Sequence, residues 1–139
     1  PRVFEISNKI PPIPDWHVNS DKSCCIKVLP EEIIICHSEI TLTSFIKDHV
    51  LPYFFNQTHR MIEGYYVNGE YSHGIEGIYE AYKKILNLEG YRKIAELLIE
   101  ISRTNRPNRT NLCFCGSGKK YRYCHRDSCD KLFFFEQKE

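Results

Sequence analysis

Three cysteines and a histidine lie within thirteen residues near the end of the chain, as Cys113-Phe-Cys115 and, after eight intervening residues, Cys124-His125. Three thiolates and one imidazole form a complete tetrahedral donor set for one zinc ion. The glycines between the two pairs let the backbone take left-handed conformations and turn its amides towards the sulfur atoms. The alternative, free thiols in a loop, leaves a dense group of ligands without metal. The sequence therefore predicts one Zn²⁺, bound by Cys113, Cys115, Cys124 and His125.

The zinc region is also the basic region of the chain. Residues 103–126 contain seven of the nineteen basic residues and no acid, although the whole chain carries a net charge of only +1. This segregation suits docking to an acidic partner, to phosphate or to nucleic acid, and an acidic protein is the first candidate. Nucleic acid is the second candidate, with Tyr121, Tyr123 and the Phe133–Phe135 cluster as stacking residues. A solvated linker that binds nothing is the plainer alternative.

The run Cys113-Phe-Cys115-Gly-Ser-Gly-Lys-Lys-Tyr, with Cys124-His125 behind it, resembles the SEC-C motif. This small zinc knuckle is known from the C-terminal tail of the SecA preprotein translocase ATPase. The resemblance covers about fifteen residues. It implies zinc binding, and because the similar SecA tail binds a chaperone, it also implies docking of a protein partner.

A second group of candidate reactive residues lies near the start of the chain. His17-Val-Asn19, five further residues and Cys25 resemble the active-site signature of ubiquitin-conjugating enzymes, with Val18 in place of a proline. The likeness is closer to bacterial ubiquitin-conjugating-like proteins associated with defence operons, which have a similar His-x-Asn, Asp, Ser and Cys run. In those proteins a long helix with a glutamine near its end and a His-Gly element follow, as Gln57 and His73-Gly74 follow here.

The resemblance implies a role for each of these residues. Cys25 would be the nucleophile, Asn19 would stabilise the oxyanion or the loop that holds it, His17 would brace that loop, and His73 would be an active-site neighbour. The implied reaction receives a ubiquitin-like modifier from its activating enzyme as a thioester and transfers it to an amine, which requires a partly exposed thiol of lowered pKa. The plainer alternative makes Cys24 and Cys25 small apolar strand residues and His73 a turn residue.

The elements that must position these residues follow from the hydrophobic pattern. Cys24–Leu29 has the composition of a strand, in which Cys24 faces inward and Cys25 outward. The apolar spacing after Thr41 predicts an amphipathic helix that Pro52 kinks or divides. Asn68-Gly69 predicts a tight turn between aromatic arms. Two further helices are predicted by the periodicity of residues 75–86 and 91–101.

Together these patterns and the resemblance predict an α+β fold. It comprises a partial ubiquitin-conjugating-like core of short antiparallel strands plus helices, followed by a small zinc knuckle. The expected domains are residues 1–102 for this core, 103–110 for a basic linker, and 111–139 for the SEC-C zinc-binding motif and an apolar tail. Only sixteen residues precede His17, so either the N-terminal part of such a core is missing or the fold is pared down. Because the chain begins with Pro1 instead of methionine, the first alternative is favoured.

Composition excludes other classes of protein. With 139 residues, 42% of them hydrophobic, the chain is long enough for one core and an appendage, so it is not disordered throughout. No apolar run approaches membrane-spanning length, and seven cysteines without disulfide spacing predict a reducing cytoplasm.

The sequence thus favours a cytoplasmic conjugating enzyme with a zinc docking module. The alternative is a non-enzymatic SEC-C zinc adaptor that binds a protein partner or nucleic acid.

Overall fold

The computed structural model describes residues 1–103 and 105–133. Contacts between residues divide the chain into two compact units, an N-terminal unit (Pro1–Ile78) and a C-terminal unit (Tyr79–Glu139). The domain boundaries expected from the sequence, at residues 102 and 110, stay a prediction.

Helices account for most of the regular structure. The α-helices of the described residues are α1 (Leu29–His37), α2 (Leu42–Phe45), α3 (Leu51–Glu63), α4 (Ile75–Leu86), α5 (Tyr91–Arg103) and α6 (Arg126–Cys129). A π-helical turn at Ile46–Val50 joins α2 to α3, and short 3₁₀ turns lie at Pro14–Trp16 and Tyr121–Tyr123. The helices predicted over residues 75–86 and 91–101 are confirmed as α4 and α5.

The predicted α+β fold is wrong, because the structure is 51% helical and its described residues form no sheet. The segments expected as antiparallel strands make only isolated bridges, between Phe4 and Ser23 and between Val18 and Cys24. The segment beginning at Cys24 does not extend into a strand, because α1 starts at Leu29. Pro30 fits the first turn of a helix, and the acids that follow it, Glu31 and Glu32, stabilise the helix N-terminus.

Pro52 lies in the first turn of α3, directly after the π-helical turn that separates α3 from α2. A proline cannot donate to the carbonyl four residues earlier, and its ring crowds that carbonyl. Just before Pro52 the chain widens into the π-helical turn, in which the Leu51 N–H bonds to the Ile46 carbonyl. A π-helical turn is one way in which a helix accommodates a residue that cannot make the regular backbone hydrogen bond. The helical run therefore continues from Leu42 to Glu63.

The core of the N-terminal unit lies between α3 and the irregular segment that precedes α1. Its buried residues are Ile10, Val18, Cys24 and Tyr53, with Val3, Trp16, Ile26 and Phe54 packed against them. Two side chains of α3 hold this segment through its backbone: Tyr53 Oη donates to the His17 carbonyl at 3.1 Å, and Gln57 Nε2 donates to the Trp16 carbonyl at 3.1 Å. The segment that carries His17, Asn19 and Cys25 is thus held by one helix.

The C-terminal unit has a core of its own. Its buried residues are Ala81, Leu86, Ile94, Leu97, Ile101, Cys113, Tyr121, Cys129, Leu132 and Phe133. The Tyr79 and Tyr91 rings stack at 3.7 Å, and Tyr79 Oη accepts a hydrogen bond from the Gly90 N–H. Phe134 and Phe135, the rest of the predicted apolar tail, lie outside the described residues. In residues 1–103 and 105–133, no helix combines the length and the apolar character needed to cross a membrane.

Candidate metal centre and the predicted thiol site

Two short extended segments bring the predicted zinc ligands together. Leu112 and Lys120 form an antiparallel bridge, and the Cys113 N–H donates to the Lys119 carbonyl at 2.9 Å. Between the segments, Gly116 and Gly118 have φ values of 73° and 72°, so the left-handed backbone expected there is confirmed. This turn folds the first cysteine pair back towards the second ligand pair.

The four predicted ligand atoms converge on one point. His125 Nδ1 lies 3.4 Å from Cys113 Sγ and 3.3 Å from Cys124 Sγ, and Cys115 Sγ lies 3.5 Å from Cys124 Sγ. All four atoms are within 4.8 Å of one another, and we call this group the Cys₃His cluster. Zinc bonds of about 2.3 Å to sulfur and about 2.0 Å to nitrogen place tetrahedral ligands roughly 3.5 to 3.8 Å apart. The cluster is therefore compatible with zinc binding.

The thiols of the cluster lie in unequal environments. Burial raises the pKa of Cys113 to about 11, although backbone N–H groups of Cys115 and His125 oppose the shift. Burial also acts to raise the pKa of Cys115, but hydrogen bonds from Ser117 and from the neighbouring thiols outweigh it and lower that pKa to about 6. Cys115 is thus the thiol that ionises more readily near neutral pH. A bound dication would stabilise the thiolate form of every sulfur ligand.

Asp130 organises the side chains behind the cluster. Its carboxylate accepts a hydrogen bond from the fully buried Tyr121 hydroxyl at 2.9 Å. It also forms ion pairs with Arg106 and Arg126, each at 3.4 Å. Cys129 is fully buried and lies outside the Cys₃His cluster. Sequence reasoning missed Asp130, although its spacing of four residues from Arg126 on a helix is a usable signal.

The pairing with Asp130 divides the basic residues into two groups. Arg106 and Arg126 are engaged within the C-terminal unit. The other five basic residues of the window are exposed and form no ion pair with any described residue: Arg103, Arg109, Lys119, Lys120 and Arg122. Arg122 also covers the Tyr123 ring, at 4.5 Å from its centroid. The exposed and unpaired positive charge of residues 103–126 therefore comes from these five residues.

In the N-terminal unit, Cys24 is buried as expected and Cys25 is half-buried. The Cys25 N–H donates to the His17 carbonyl at 2.8 Å, and its thiol lies 3.7 Å from the Lys27 carbonyl. Burial raises the pKa of the Cys25 thiol, and the nearby Glu32 and Cys24 raise it further. This shift is opposite to the lowered pKa that activates a nucleophilic cysteine.

The other predicted catalytic residues have partners of their own. The Asn19 side-chain amide donates to Ser23 Oγ at 3.0 Å, so it holds its own loop. His17 Nε2 lies 2.9 Å from a Glu70 carboxylate oxygen, and the His17 and His73 ring centroids are 5.3 Å apart. Burial lowers the pKa of His17 although Glu70 opposes this shift. The structure therefore places His17 beside His73, while the catalytic roles of Cys25, Asn19, His17 and His73 stay a prediction.

Sequence reasoning also missed the side chains that surround His17. The Arg60 guanidinium lies 4.4 Å from the Trp16 ring centroid and 4.8 Å from that of Tyr66, and it forms an ion pair with Asp15. Glu70 and Tyr66 reach His17 from positions about fifty residues further along the chain. No periodic pattern marks such distant contacts, so neither residue could have been found from spacing.

Of the comparisons with known proteins, the one with protein families supports the C-terminal part of this description. No curated protein and no solved structure shows significant similarity to the chain. These findings give no support for a ubiquitin-conjugating identity or for a role in defence. Residues 109–127, which contain the whole Cys₃His cluster, match the SEC-C motif.

Proposed function

We propose that this protein is a non-enzymatic zinc adaptor whose C-terminal unit docks an acidic protein partner. The observation that carries the proposal is the exposed basic surface built on the two segments that the Cys₃His cluster joins. Zinc, when bound, would cross-link these segments through Cys113, Cys115, Cys124 and His125. A cross-link of this kind fixes the surrounding backbone and couples metal binding to local folding.

Backbone pairing places three of the unpaired basic residues close together. The Arg122 N–H donates to the Arg109 carbonyl at 3.2 Å, so these two arginines are neighbours. Lys120 lies opposite Leu112 in the antiparallel bridge, and Leu112 is 68% exposed. We call Arg109, Lys120 and Arg122 the basic face. Its positive charge beside one exposed apolar side chain suits a protein surface that carries carboxylates around an apolar residue.

The donor set favours an adaptor over a zinc enzyme. A catalytic zinc site keeps one position open for water or substrate and has three protein ligands. Here four protein donors converge, which is the closed arrangement of structural zinc sites. The raised pKa of the half-buried Cys25 thiol points the same way, because that thiol gains no activation from its surroundings.

The aromatic residues favour a protein over nucleic acid. Binding of single strands depends on aromatic rings that are open to stacking. Tyr121 is fully buried and Phe133 is 5% exposed, so neither ring is open to a base. Tyr123 is 70% exposed, but Arg122 already covers one face of its ring. Among the residues that the structure describes, the basic face therefore lacks the series of rings that would follow a strand.

The proposal is tested by titrating the zinc-loaded full chain into two fluorescein-labelled probes, a 15-residue glutamate-rich peptide and a 15-nucleotide oligothymidine. We expect salt-sensitive binding of the peptide, measured by anisotropy. Because an exposed charge pair contributes roughly 0.2 to 1 kcal/mol, the variant Arg109→Gln/Lys120→Gln/Arg122→Gln should weaken peptide binding about tenfold. The matched control Lys84→Gln/Arg92→Gln/Lys93→Gln removes the same charge from α4 and α5 and should change it little.

Two results would contradict this function. If both triple variants weakened peptide binding equally, net charge and not the basic face would be responsible. If the oligothymidine bound more tightly than the peptide and lost affinity in the basic-face variant, the partner would be a nucleic acid.

Removal of zinc by a chelator should abolish peptide binding, because the segments that hold the basic face would no longer be joined.

A further inference from the structure

The helical run from α2 to α3 has an apolar face that is open to solvent. Its large side chains are Leu42 (70% exposed), Ile46 (42%), Leu51 (58%), Phe55 (60%) and Ile62 (74%), which we call the apolar stripe. Within α3 up to Ile62, the only formally charged residue is Arg60, and its side chain is engaged with Asp15. A helix face that meets only water usually carries charged residues. This face has the composition of one that is covered by another molecule.

The π-helical turn keeps the apolar stripe continuous. Leu42 and Ile46 are four residues apart, Ile46 and Leu51 are five apart, and Leu51 and Phe55 are four apart. In a regular α-helix, a spacing of five rotates a side chain well away from its predecessor. Here the Leu51 N–H bonds to the Ile46 carbonyl, so the turn itself spans five residues and returns Leu51 to the same side. At 1.5 Å per residue, the stripe is roughly 30 Å long.

We propose that a second copy of this chain covers the apolar stripe, with the two helical runs antiparallel about a two-fold axis near Phe55. A two-fold interface needs only one self-complementary patch on each subunit. Lys47 and Glu63 are both exposed, lie eight residues before and after Phe55, and form no ion pair with any described residue. An antiparallel arrangement places each Lys47 level with a Glu63 of the other copy along the helix axis, and Phe55 opposite Phe55.

The area of the apolar stripe determines how tightly the two copies should bind. A helix face about 30 Å long and 10 to 12 Å wide offers roughly 300 to 400 Å². Met61, Tyr65 and Val67, which are close to the end of the stripe in sequence, are also exposed. A stable specific interface buries about 800 Å² on each partner, so this one belongs to the weak, concentration-dependent class. We expect a dissociation constant in the micromolar range, on the order of 10 μM.

Analytical ultracentrifugation of the zinc-loaded full chain tests this proposal. Between about 1 and 200 μM, wild-type protein should pass from monomer to dimer around the dissociation constant expected for such an interface. Phe55→Asp should weaken dimerisation at least tenfold, because it places two like charges at the centre of the interface. Ile75→Asp is the matched control: Ile75 is 80% exposed and lies outside the stripe, so its dimerisation should equal that of wild type. Circular dichroism checks that both variants keep their helices.

Charge reversal tests the antiparallel arrangement. Lys47→Glu and Glu63→Lys should each weaken the dimer, and the double variant should restore it, since the pair is regenerated with its signs exchanged. A monomer throughout the concentration range, or a dimer unaffected by Phe55→Asp, would overturn the proposal. Failure of the double variant to restore dimerisation would overturn the antiparallel arrangement. The basic-face triple variant should leave the dimer unchanged, so the two proposals fail independently.

Discussion

The two cysteine-containing regions of this protein differ in what their folds bring together. In the C-terminal unit, the side-chain donor atoms of four residues converge within 4.8 Å. In the N-terminal unit, the convergence involves the backbone: the His17 carbonyl accepts hydrogen bonds from the Cys25 N–H and from Tyr53. The side chains of Cys25 and Asn19 turn to Lys27 and Ser23. Proximity of Cys, His and Asn in a sequence therefore does not by itself bring their side chains together.

The difference follows from how far apart in sequence the contacting residues lie. The Cys₃His cluster spans residues 113–125 and is closed by one bridge and one glycine turn, both local features. Around His17, the contacts with Gln57, Tyr66 and Glu70 depend on how α3 and the following loop pack. Local spacing specifies the first arrangement and leaves the second undetermined.

The largest expected effect is the loss of zinc from the Cys₃His cluster. Wild-type protein should contain about one zinc ion per chain, measured by inductively coupled plasma mass spectrometry. If an apparent binding free energy of roughly 10 to 16 kcal/mol is shared among four ligands, Cys124→Ser should weaken zinc binding by about 10² to 10³-fold, measured by competition with a chelator. The C-terminal unit should unfold locally in parallel.

Two control variants sharpen this comparison of the two regions. Cys129→Ala, fully buried but outside the cluster, should cost on the order of 1 kcal/mol and retain zinc. Cys24→Ala, in the N-terminal core, should also retain it. Release of zinc by Cys129→Ala, with full retention in His125→Ala, would mean that the ligand set is wrongly assigned.

Particular residues show how far sequence reasoning reaches. The four converging donors and the helices α4 and α5 could be predicted, because spacing within one short segment determines them. Helix α1 was missed, since the apolar residues from Cys24 to Leu29 suit a strand as well as the approach to a helix. Pro30, at the first turn of α1, was the signal that decides between the two. The contact between His17 and Glu70 depends on tertiary packing, which no local pattern encodes.

The reactivity of Cys25 gives an intermediate effect. Alkylation reacts with the thiolate, and burial raises the pKa of Cys25, so this thiol should react about tenfold more slowly than the exposed Cys36 at pH 8. Cys24 should react only on unfolding, and the cluster thiols should be protected in the zinc-loaded protein. Labelling with iodoacetamide followed by peptide mass mapping provides the rates.

Rapid alkylation of Cys25 would mean that both regions of the protein, and not the C-terminal one alone, bring functional side chains into use. If Cys25 reacted before Cys36 at neutral pH, its thiol would be activated in solution. A reductant-sensitive adduct with a ubiquitin-like modifier, formed with activating enzyme and ATP and lost in Cys25→Ala, would then restore the conjugating-enzyme interpretation. We expect no such adduct, because the surroundings of Cys25 disfavour its thiolate.

The smallest expected effect is the pH dependence that His17 gives to the N-terminal unit. Burial lowers the pKa of His17, and Glu70 opposes this through its hydrogen bond and charge while His73 and Arg60 lower the pKa further. In the unfolded chain the histidine pKa is about 6.5, so below that pH the unfolded state binds the proton first. The stabilisation is complete above about pH 6.5 and is lost as the pH falls towards the lower folded pKa, by at most about 1.4 kcal/mol per pH unit.

Denaturant unfolding between pH 7.5 and 5.5, followed by the fluorescence of Trp16, the only tryptophan, reports on this unit alone. His17→Gln should flatten the slope, and Glu70→Gln should steepen it because the opposing carboxylate is gone. A slope that both variants leave unchanged would mean that His17 does not titrate in this range and that its contact with Glu70 has no electrostatic role.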